Sequence, residues 1–324
     1  MTTRAKNWAR PPVSRTRLLP SKKRAAWITF FLMAAIIVGG GAIGIGIASW
    51  LNPPDGMSLS ALLASTHVHG IAVDANDPKR VYLATHNGFF VVTPDGKAER
   101  VSGDDSDYMG FTPHPRNAAT FFVSGHPSSG GNLGFMSSTD GGKSWRQLAK
   151  GANGPVDFHQ MDVSKADPNT IYGFYRGLQV SRDGGRSWET VDAALDDIID
   201  LAASARSVDT LYAATRDRLL ISRDGGKSWQ PAHPSTSPVT MVRTTADGDV
   251  YAYVIGTGLV RAREEGLNWA VLGNNFAGGY VLHLAVDPSN KERLYAATLD
   301  PATHRGDVLA SADGGQSWSR FGVR

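Results

Sequence analysis

The sequence contains no cysteine among its 324 residues. This absence excludes disulfides, metal sites built on thiolates and a cysteine nucleophile. Residues 1–54 contain no acidic residue and eight basic ones, so the rest of the chain has 25 basic against 30 acidic residues, a net charge of −5. The overall charge of +3 therefore comes from the N-terminal segment. We expect no nucleic-acid binding by the remainder of the chain.

The first 65 residues divide into three segments by composition. Residues 1–24 are basic and lack apolar periodicity, which predicts a disordered cytoplasmic tail. Residues 25–51 carry no charge and are mostly apolar, and as a helix they would span about 40 Å, enough to cross a bilayer. Residues 52–65, which begin Asn52-Pro53-Pro54, are predicted to form a linker.

The charge pattern also predicts an orientation for that helix. Since positive charges precede it, the N-terminus is expected in the cytoplasm and the remainder of the chain outside, as in a single-pass cell-membrane protein. A cleaved signal peptide is the alternative, although its apolar core is usually only about 7–15 residues long. We favour an uncleaved signal-anchor because this apolar segment is longer.

An eight-residue motif recurs along the rest of the chain. Its clearest copy runs from Ser222 to Trp229 (Ser-Arg-Asp-Gly-Gly-Lys-Ser-Trp), with close copies starting at residues 138, 181 and 311 and weaker ones at 93 and 262. The starts lie about 40–50 residues apart, which is the length of one four-stranded propeller blade. The period predicts an all-β fold, a six-bladed β-propeller over residues 66–324, in which the motif is a hairpin once per blade.

The residues of this motif have the chemistry of a tight turn. An Asp side chain can accept hydrogen bonds from backbone N–H groups further along, and the two glycines permit positive φ angles. The Trp offers apolar surface to a neighbouring sheet. Because one copy per blade is typical of a structural motif, we assign structural roles to Asp140, Trp145, Asp183, Trp188, Asp224, Trp229, Asp313 and Trp318.

The strand pattern within each repeat predicts which residues meet at the centre. In the first blade, strands are predicted at residues 69–73, 81–85, 88–92 and 97–101. The six inner strands are expected near residues 69, 109, 159, 199, 240 and 282, each blade having four consecutive strands. Inner strands begin on one face of a propeller, the turns between second and third strands open on that same face, and the Asp-Gly-Gly hairpins lie on the other.

We call this first face the mouth, and polar side chains concentrate on it. A polar rim over the central channel is where propeller ligands bind. The candidate ligand-binding residues are His67, His69, His86, His126, His159, Arg176, Asp197, Tyr280 and His283. The alternative interpretation is that these side chains are simply the solvated ends of inner strands.

Two kinds of chemistry are compatible with these residues. Asp107 and Asp157 are expected on neighbouring blades and could act as the paired carboxylates that cleave glycosidic bonds. His67 and His69 alternate along a strand and so share one face, and with His159 they would offer imidazoles that suit zinc. No metal ion or other cofactor is assigned from the sequence.

The motifs resemble the Asp-box (BNR) repeat of sialidases, sortilin-type receptors and photosystem II assembly factors. More specifically, residues 66–324 resemble a bacterial family of BNR propellers classed as glycosyl-hydrolase-like. The resemblance rests on the boxes and on His67-Val68-His69-Gly70, Ala84-Thr85-His86-Asn87-Gly88, Met109-Gly110-Phe111-Thr112, Ser124-Gly125-His126-Pro127 and Asp157-Phe158-His159.

The resemblance implies two classes of function. One is a glycoside hydrolase or glycan-binding protein that acts through the mouth. The other is a non-catalytic propeller that binds a protein or assembles an envelope complex. Sialidases carry a Phe/Tyr-Arg-Ile-Pro motif that is absent here, so cleavage of sialic acid is not expected.

Overall fold

The computed structural model describes residues 56–192, 195, 197–276 and 278–323. Over these residues it confirms the all-β, six-bladed propeller, with six antiparallel sheets and one short helix. The predicted cytoplasmic tail (residues 1–24) and membrane helix (residues 25–51) lie outside the described residues. Within the described ranges, no helix is both long enough and apolar enough to cross a bilayer.

Blades 1 to 3 follow one another along the chain. Blade 1 contains β1 (Met57–Ser58), β2 (Val68–Val73), β3 (Val81–Thr85), β4 (Gly88–Val92) and β5 (Lys97–Arg100). Blade 2 contains β6 (Asp107–Pro113), β7 (Phe121–His126), β8 (Phe135–Ser138) and β9 (Arg146–Ala149). Blade 3 contains β10 (Gln160–Val163), β11 (Ile171–Phe174), β12 (Leu178–Ser181) and β13 (Glu189–Thr190).

Blades 4 to 6 repeat the same arrangement. Blade 4 contains β14 (Asp200–Ala203), β15 (Leu211–Ala214), β16 (Leu219–Ser222) and β17 (Gln230–Pro231). Blade 5 contains β18 (Val239–Thr244), β19 (Asp249–Val254), β20 (Gly258–Arg263) and β21 (Ala270–Gly273). Blade 6 contains β22 (Tyr280–Val286), β23 (Leu294–Leu299), β24 (Gly306–Ser311) and β25 (Ser319–Arg320).

The inner strands lie side by side around the axis. They are β2, β6, β10, β14, β18 and β22, and each contacts the next, with β22 returning to β2. Within each blade the remaining strands follow in chain order towards the outside, and β1 is added outside β5. The predicted inner strands and the four consecutive strands per blade are therefore confirmed.

The hydrophobic core is divided into six parts, each lying between two successive blades. The inner halves of the strands are apolar on both faces; in blade 1, for example, Leu83 and Ala84 are neighbours in β3 and are both fully buried. A sheet with two apolar faces needs cover on each side. A ring of blades supplies that cover because every blade has two neighbours.

The Asp-box closes the hairpin between the third and fourth strands of a blade. In blade 4, Asp224 accepts hydrogen bonds from the Ser228 hydroxyl at 2.5 Å and from the Ser228 backbone N–H at 2.9 Å. The Ser222 hydroxyl donates to the same carboxylate and accepts from the Gly226 N–H, each at 2.8 Å. The bonds from Ser228 are the main reason that the pKa of Asp224 falls to about 2. Asp140, Asp183 and Asp313 make the corresponding bonds in their own boxes.

In blades 2, 3, 4 and 6 the box also fastens the blade to the one before it. Trp188 of blade 3 packs on Phe135 of blade 2, with ring centroids 5.1 Å apart, and on Phe158 at 4.8 Å. The second glycine of the same box, Gly185, lies so close to Phe135 that an added Cβ would be only 2.0 Å from the ring. Trp145, Trp229 and Trp318 likewise join the cores that their blades share with the preceding blade.

The ring closes through a helix that the sequence analysis did not predict. Residues 57–65 fall in the predicted linker, but they form β1 and helix α1 (Leu59–Ser65), which corrects the boundary of the domain. Leu59 and Leu62 of α1 are buried in the core shared by blades 1 and 6. The Tyr295 hydroxyl of blade 6 donates to the Pro78 carbonyl of blade 1 at 2.9 Å. Among the described residues, closure therefore depends on packing, and no strand of one terminal blade joins the sheet of the other.

The two glycines of one box provide a matched test of this packing. Gly184 and Gly185 both have positive φ, but a Cβ on Gly184 would meet no atom closer than 3.4 Å. We expect Gly184→Ala to cost only the conformational strain of about 1–2 kcal/mol. Gly185→Ala should cost about 1–3 kcal/mol more, because its Cβ overlaps the Phe135 ring. Urea unfolding of both variants measures the difference, and equal losses would show that the second glycine is needed only for its backbone conformation.

Candidate functional site

The entrances of the inner strands bring Asp107 and several histidines together at the mouth. Asp107 begins β6, and His69 lies in the neighbouring inner strand β2. His86 lies in the turn between β3 and β4, and His126 ends β7 opposite Asp107 in the strand register. Four elements of blades 1 and 2 therefore converge, because each of them begins or ends on the same face of the ring.

Asp107 is the centre of this cluster. Its carboxylate is buried, with 4% of the residue exposed, and it contacts three imidazoles. The Asp107 Oδ2 atom lies 2.7 Å from His86 Nδ1 and 3.3 Å from His126 Nε2, while Oδ1 lies 3.4 Å from His69 Nε2. Within the part of the chain that the structure describes, neither Asp107 Oδ1 nor His69 Nε2 has a hydrogen-bond partner.

A β-bulge turns His69 towards Asp107. The register between β2 and β3 pairs Val68 with Thr85 and Gly70 with Ala84, which leaves His69 as the extra residue. Bulges redirect a side chain and occur often beside functional sites. Because of the bulge, the alternation that was expected to place His67 and His69 on one face does not apply here. His67 is exposed outside the cluster that Asp107 gathers.

The charge states of the cluster follow from burial and from the Asp107 contacts. Burial lowers the pKa of His69 to about 3, since the partial attraction of Asp107 does not offset the loss of solvation. The hydrogen bond to Asp107 raises the pKa of His86. Burial works to raise the pKa of Asp107, but the contacts with His86, His69 and His126 outweigh it and lower that pKa. At neutral pH the centre is an ionised carboxylate beside a neutral His69.

Asp157 and His159 form a second pair next to this cluster. They flank Phe158, which is fully buried and whose backbone N–H donates to the Ser124 hydroxyl at 2.9 Å. This anchor leaves both neighbours at the mouth, where His159 Nε2 lies 3.0 Å from Asp157 Oδ2. Burial acts to lower the pKa of His159, but the bond to Asp157 prevails and raises it. The pair therefore holds a proton more readily than an isolated histidine does.

An open cavity leads from these groups down the central channel. It has an empty volume of about 450 Å³, open solvent at its mouth included, and its polar lining comprises His69, His159, Gln160, Asp200, Arg243 and His283. The pKa of His283 falls to about 4 because of its burial. The cavity adjoins both His69 of the first cluster and His159 of the second pair.

Asp200 is a charged group of this channel that the sequence analysis missed. Its carboxylate accepts hydrogen bonds from the Leu201 and Val242 N–H groups, each at 2.9 Å. Asp200 is only partly buried by its surface exposure, yet desolvation still dominates and raises its pKa to about 7. The N–H bonds and Arg243 oppose this rise, and Asp162 adds to it. A charged residue inside an otherwise apolar inner strand was the available signal for Asp200 and for Arg243.

The other predicted residues lie around the rim rather than in the cluster. Arg176 is exposed in a turn with a φ of 54°, and its guanidinium lies 5.3 Å from the Tyr175 ring centroid. Asp197 is exposed and pairs with Arg216 at 3.1 Å. Tyr280 begins β22 and is half-buried, with its ring centroid 6.4 Å from that of Tyr253.

Comparison with known proteins places this geometry among Asp-box propellers. The family model for the BNR/Asp-box repeat matches residues 220–231, which contain the box of blade 4. The oligoxyloglucan-reducing end-specific xyloglucanase of Emericella nidulans is 27% identical over 277 residues, which cover 76% of this chain and 33% of that protein.

Two solved structures share the fold. The Niastella koreensis GH74 enzyme has a TM-score of 0.58 at 17% identity, covering 82% of this chain and 45% of its own. The GH74 xyloglucanase from Xanthomonas campestris has a TM-score of 0.53 at 18% identity, covering 79% and 45%. This chain therefore spans about a third of the length of the Emericella xyloglucanase and less than half of the length of the two solved structures. Together the findings fit a BNR-repeat propeller of the glycosyl-hydrolase-like type and confirm that resemblance.

The raised pKa of Asp200 predicts a pH dependence of stability. The Asp200 carboxyl binds its proton more tightly in the folded state than in the unfolded chain. Its contribution to the free energy of unfolding is therefore complete below about pH 4 and is lost as the pH rises to about 7. As the pH rises over this range, the free energy of unfolding of the wild type should fall relative to that of Asp200→Asn, by at most about 1.4 kcal/mol per pH unit. Urea titrations of both proteins at several pH values measure the difference. A pH-independent difference would contradict the assignment.

Proposed function

Proceeding from an Asp-box propeller that is similar to xyloglucanases, we propose that this protein binds a glycan at the mouth and hydrolyses a glycosidic bond there. The observation that carries the proposal is the pair of buried carboxylates on neighbouring blades, Asp107 and Asp157, whose partners His69 and His159 line an open cavity. Glycoside hydrolases generally use two carboxyl groups that flank the scissile bond. The similarity to a xyloglucanase supports the same substrate class.

The two carboxylates have different surroundings, which suits different roles. All the ion-pair contacts of Asp107 are with imidazoles, so it serves as the ionised carboxylate that faces the positive charge developing on the sugar. His159 Nε2 lies 3.0 Å from Asp157 Oδ2, and this contact raises the pKa of His159, so the His159 imidazolium of this pair serves as the proton donor to the leaving oxygen. The cavity next to His159 is open to solvent, and half-buried Tyr175 and Tyr280 give the rim aromatic faces on which a sugar can stack.

Matched substitutions at the mouth test this function. We expect Asp107→Asn and Asp157→Asn each to lower turnover of xyloglucan oligosaccharides or of a fluorogenic β-glycoside panel by about 10²–10⁴-fold. The matched control is Asp197→Asn on the same rim. It should retain turnover, because the Asp197 carboxylate is exposed and pairs with Arg216 rather than with a histidine. Substrate hydrolysis by each purified variant is the measurement.

Two other outcomes distinguish the alternatives. A wild type that binds xyloglucan without hydrolysing it would reduce the proposal to a glycan-binding propeller. A wild type that neither binds nor cleaves any glycan of the panel would contradict the proposal and favour a non-catalytic propeller with a protein partner in the envelope.

We further propose that residues 25–51 anchor the protein in the cell membrane with the propeller outside the cytoplasm. The support is the sequence: 27 residues without a charge follow eight basic residues. The full chain should remain in the membrane fraction after alkaline extraction, and protease added to intact spheroplasts should reach the propeller. Release by alkali, or protection of the propeller from protease, would contradict this topology.

A further inference from the structure

We propose that His69, His86 and Asp107 form a binding site for one divalent transition-metal ion, with His126 as a fourth ligand. The first three residues offer ligand atoms that all lie within 4.8 Å of one another. They come from the inner strand of blade 1, the second turn of blade 1 and the inner strand of blade 2. The site is therefore built by the junction of two blades and not by one loop.

The strongest indication that the cluster binds a ligand is a pair of buried polar atoms. In the described part of the chain, Asp107 Oδ1 and His69 Nε2 have no hydrogen-bond partner, although Asp107 is 4% exposed. Buried polar atoms normally have a partner, because desolvation without one costs free energy. The two atoms lie 3.4 Å apart. This matches the separation of about 3.3–3.6 Å that two ligands of a tetrahedral ion adopt when each bond is about 2.0–2.2 Å long.

Of the remaining ligands, His86 needs only a small adjustment, whereas His126 lies outside the group whose ligand atoms are all within 4.8 Å of one another and has to move further. His86 Nδ1 lies 2.7 Å from Asp107 Oδ2, which is a hydrogen-bond distance. If an ion replaces the shared proton, these two atoms have to move apart by less than about 1 Å. His126 Nε2 is already 3.3 Å from the same oxygen. His86 and His126 are on the solvent side of the cluster, with 43% and 34% of their side chains exposed, so an ion can enter from the mouth.

The scaffold around the cluster limits how far the ligands can move. The bulge in β2 fixes the direction of His69, and the His86 N–H donates to the His67 carbonyl at 3.1 Å. In the turn that carries His86, the Thr85 hydroxyl accepts from the Asn87 N–H and donates to the Gly88 carbonyl. A site in which the ligands are held before binding loses less entropy when the ion arrives.

The donor atoms indicate the class of ion. Two or three imidazoles with one carboxylate suit Zn²⁺, Cu²⁺ or Ni²⁺, whereas Ca²⁺ and Mg²⁺ prefer oxygen ligands. A single carboxylate among imidazoles is a poor site for either alkaline-earth ion. We therefore expect Zn²⁺ to bind and Ca²⁺ not to bind.

Metal binding goes beyond the proposed glycan chemistry and is separable from it. An ion that is bound by Asp107 withdraws this carboxylate from reaction with a sugar. If both proposals hold, saturating Zn²⁺ inhibits hydrolysis. If the glycan proposal fails, Zn²⁺ still binds to the cluster.

The test is calorimetric titration of Zn²⁺ into the full chain, carrying no polyhistidine tag and first stripped with a chelator. We expect about one Zn²⁺ per chain and a rise in Tm on binding. His86→Asn and Asp107→Asn should each weaken binding by at least about tenfold. His86 is exposed in a turn, so its variant should keep the wild-type fold, which the circular dichroism spectrum and the metal-free Tm will check.

A matched control removes a histidine on the opposite face. His114 begins the turn between the first and second strands of blade 2, and its Nδ1 accepts a hydrogen bond from the Arg116 N–H at 3.1 Å, which an Asn side chain can also accept. His114→Asn should bind Zn²⁺ as the wild type does. Absence of saturable Zn²⁺ binding would overturn the proposal, as would unchanged binding in a folded His86→Asn variant or equal binding of Ca²⁺.

Discussion

The packing of each blade against the blade before it is the constraint on which the structure depends. The sheets are apolar on both faces, and the Asp-box supplies the contact that fixes their spacing. Its Trp fills the gap to the preceding blade, and its second glycine lets the turn approach an aromatic ring, as Gly185 approaches Phe135. Because these contacts recur around the ring, the inner strands converge on one axis. The short helix α1 completes the last junction by burying Leu59 and Leu62 between blades 1 and 6.

The chemistry of the mouth is a consequence of that convergence. A residue at the entrance of one inner strand meets residues from the neighbouring blade, so Asp107 can gather histidines that lie up to 57 residues apart from one another in the sequence, from His69 to His126. A buried carboxylate needs such partners, since its desolvation is otherwise costly. The imidazoles keep Asp107 ionised, while one blade further on the contact with Asp157 raises the pKa of His159. Glycan hydrolysis requires both of these carboxylates, whereas ion binding requires only Asp107 and its histidines.

The period of the boxes was enough to predict the blade number, the inner strands and the face on which polar residues meet. These features could be predicted because they follow from repetition and from the alternation of antiparallel strands. The cluster around Asp107 could be predicted only as a set of candidates. The bulge at His69 decides which imidazoles meet, and it depends on the pairing of Val68 and Gly70 with β3, which a regular strand pattern does not contain.

Other features depend on contacts between distant residues and leave weaker signals. Helix α1 is seven residues long, and its stability comes from burial of two leucines against blade 6, so a local pattern next to prolines indicated a linker instead. Asp200 has no motif, and its unusual pKa arises from burial in a channel that exists only once the ring has closed. The close approach of Gly185 to Phe135 also needs the neighbouring blade to be in place.

The central claim is that Asp107 and its histidines form the ligand site of this propeller. Its most direct test is a crystal structure of the protein soaked with Zn²⁺ and measured at the zinc absorption edge. The account predicts one anomalous peak at the mouth, within bonding distance of His69 Nε2, His86 Nδ1 and an Asp107 oxygen. A map without a peak there, or with ordered zinc only at histidines outside this cluster, would contradict it.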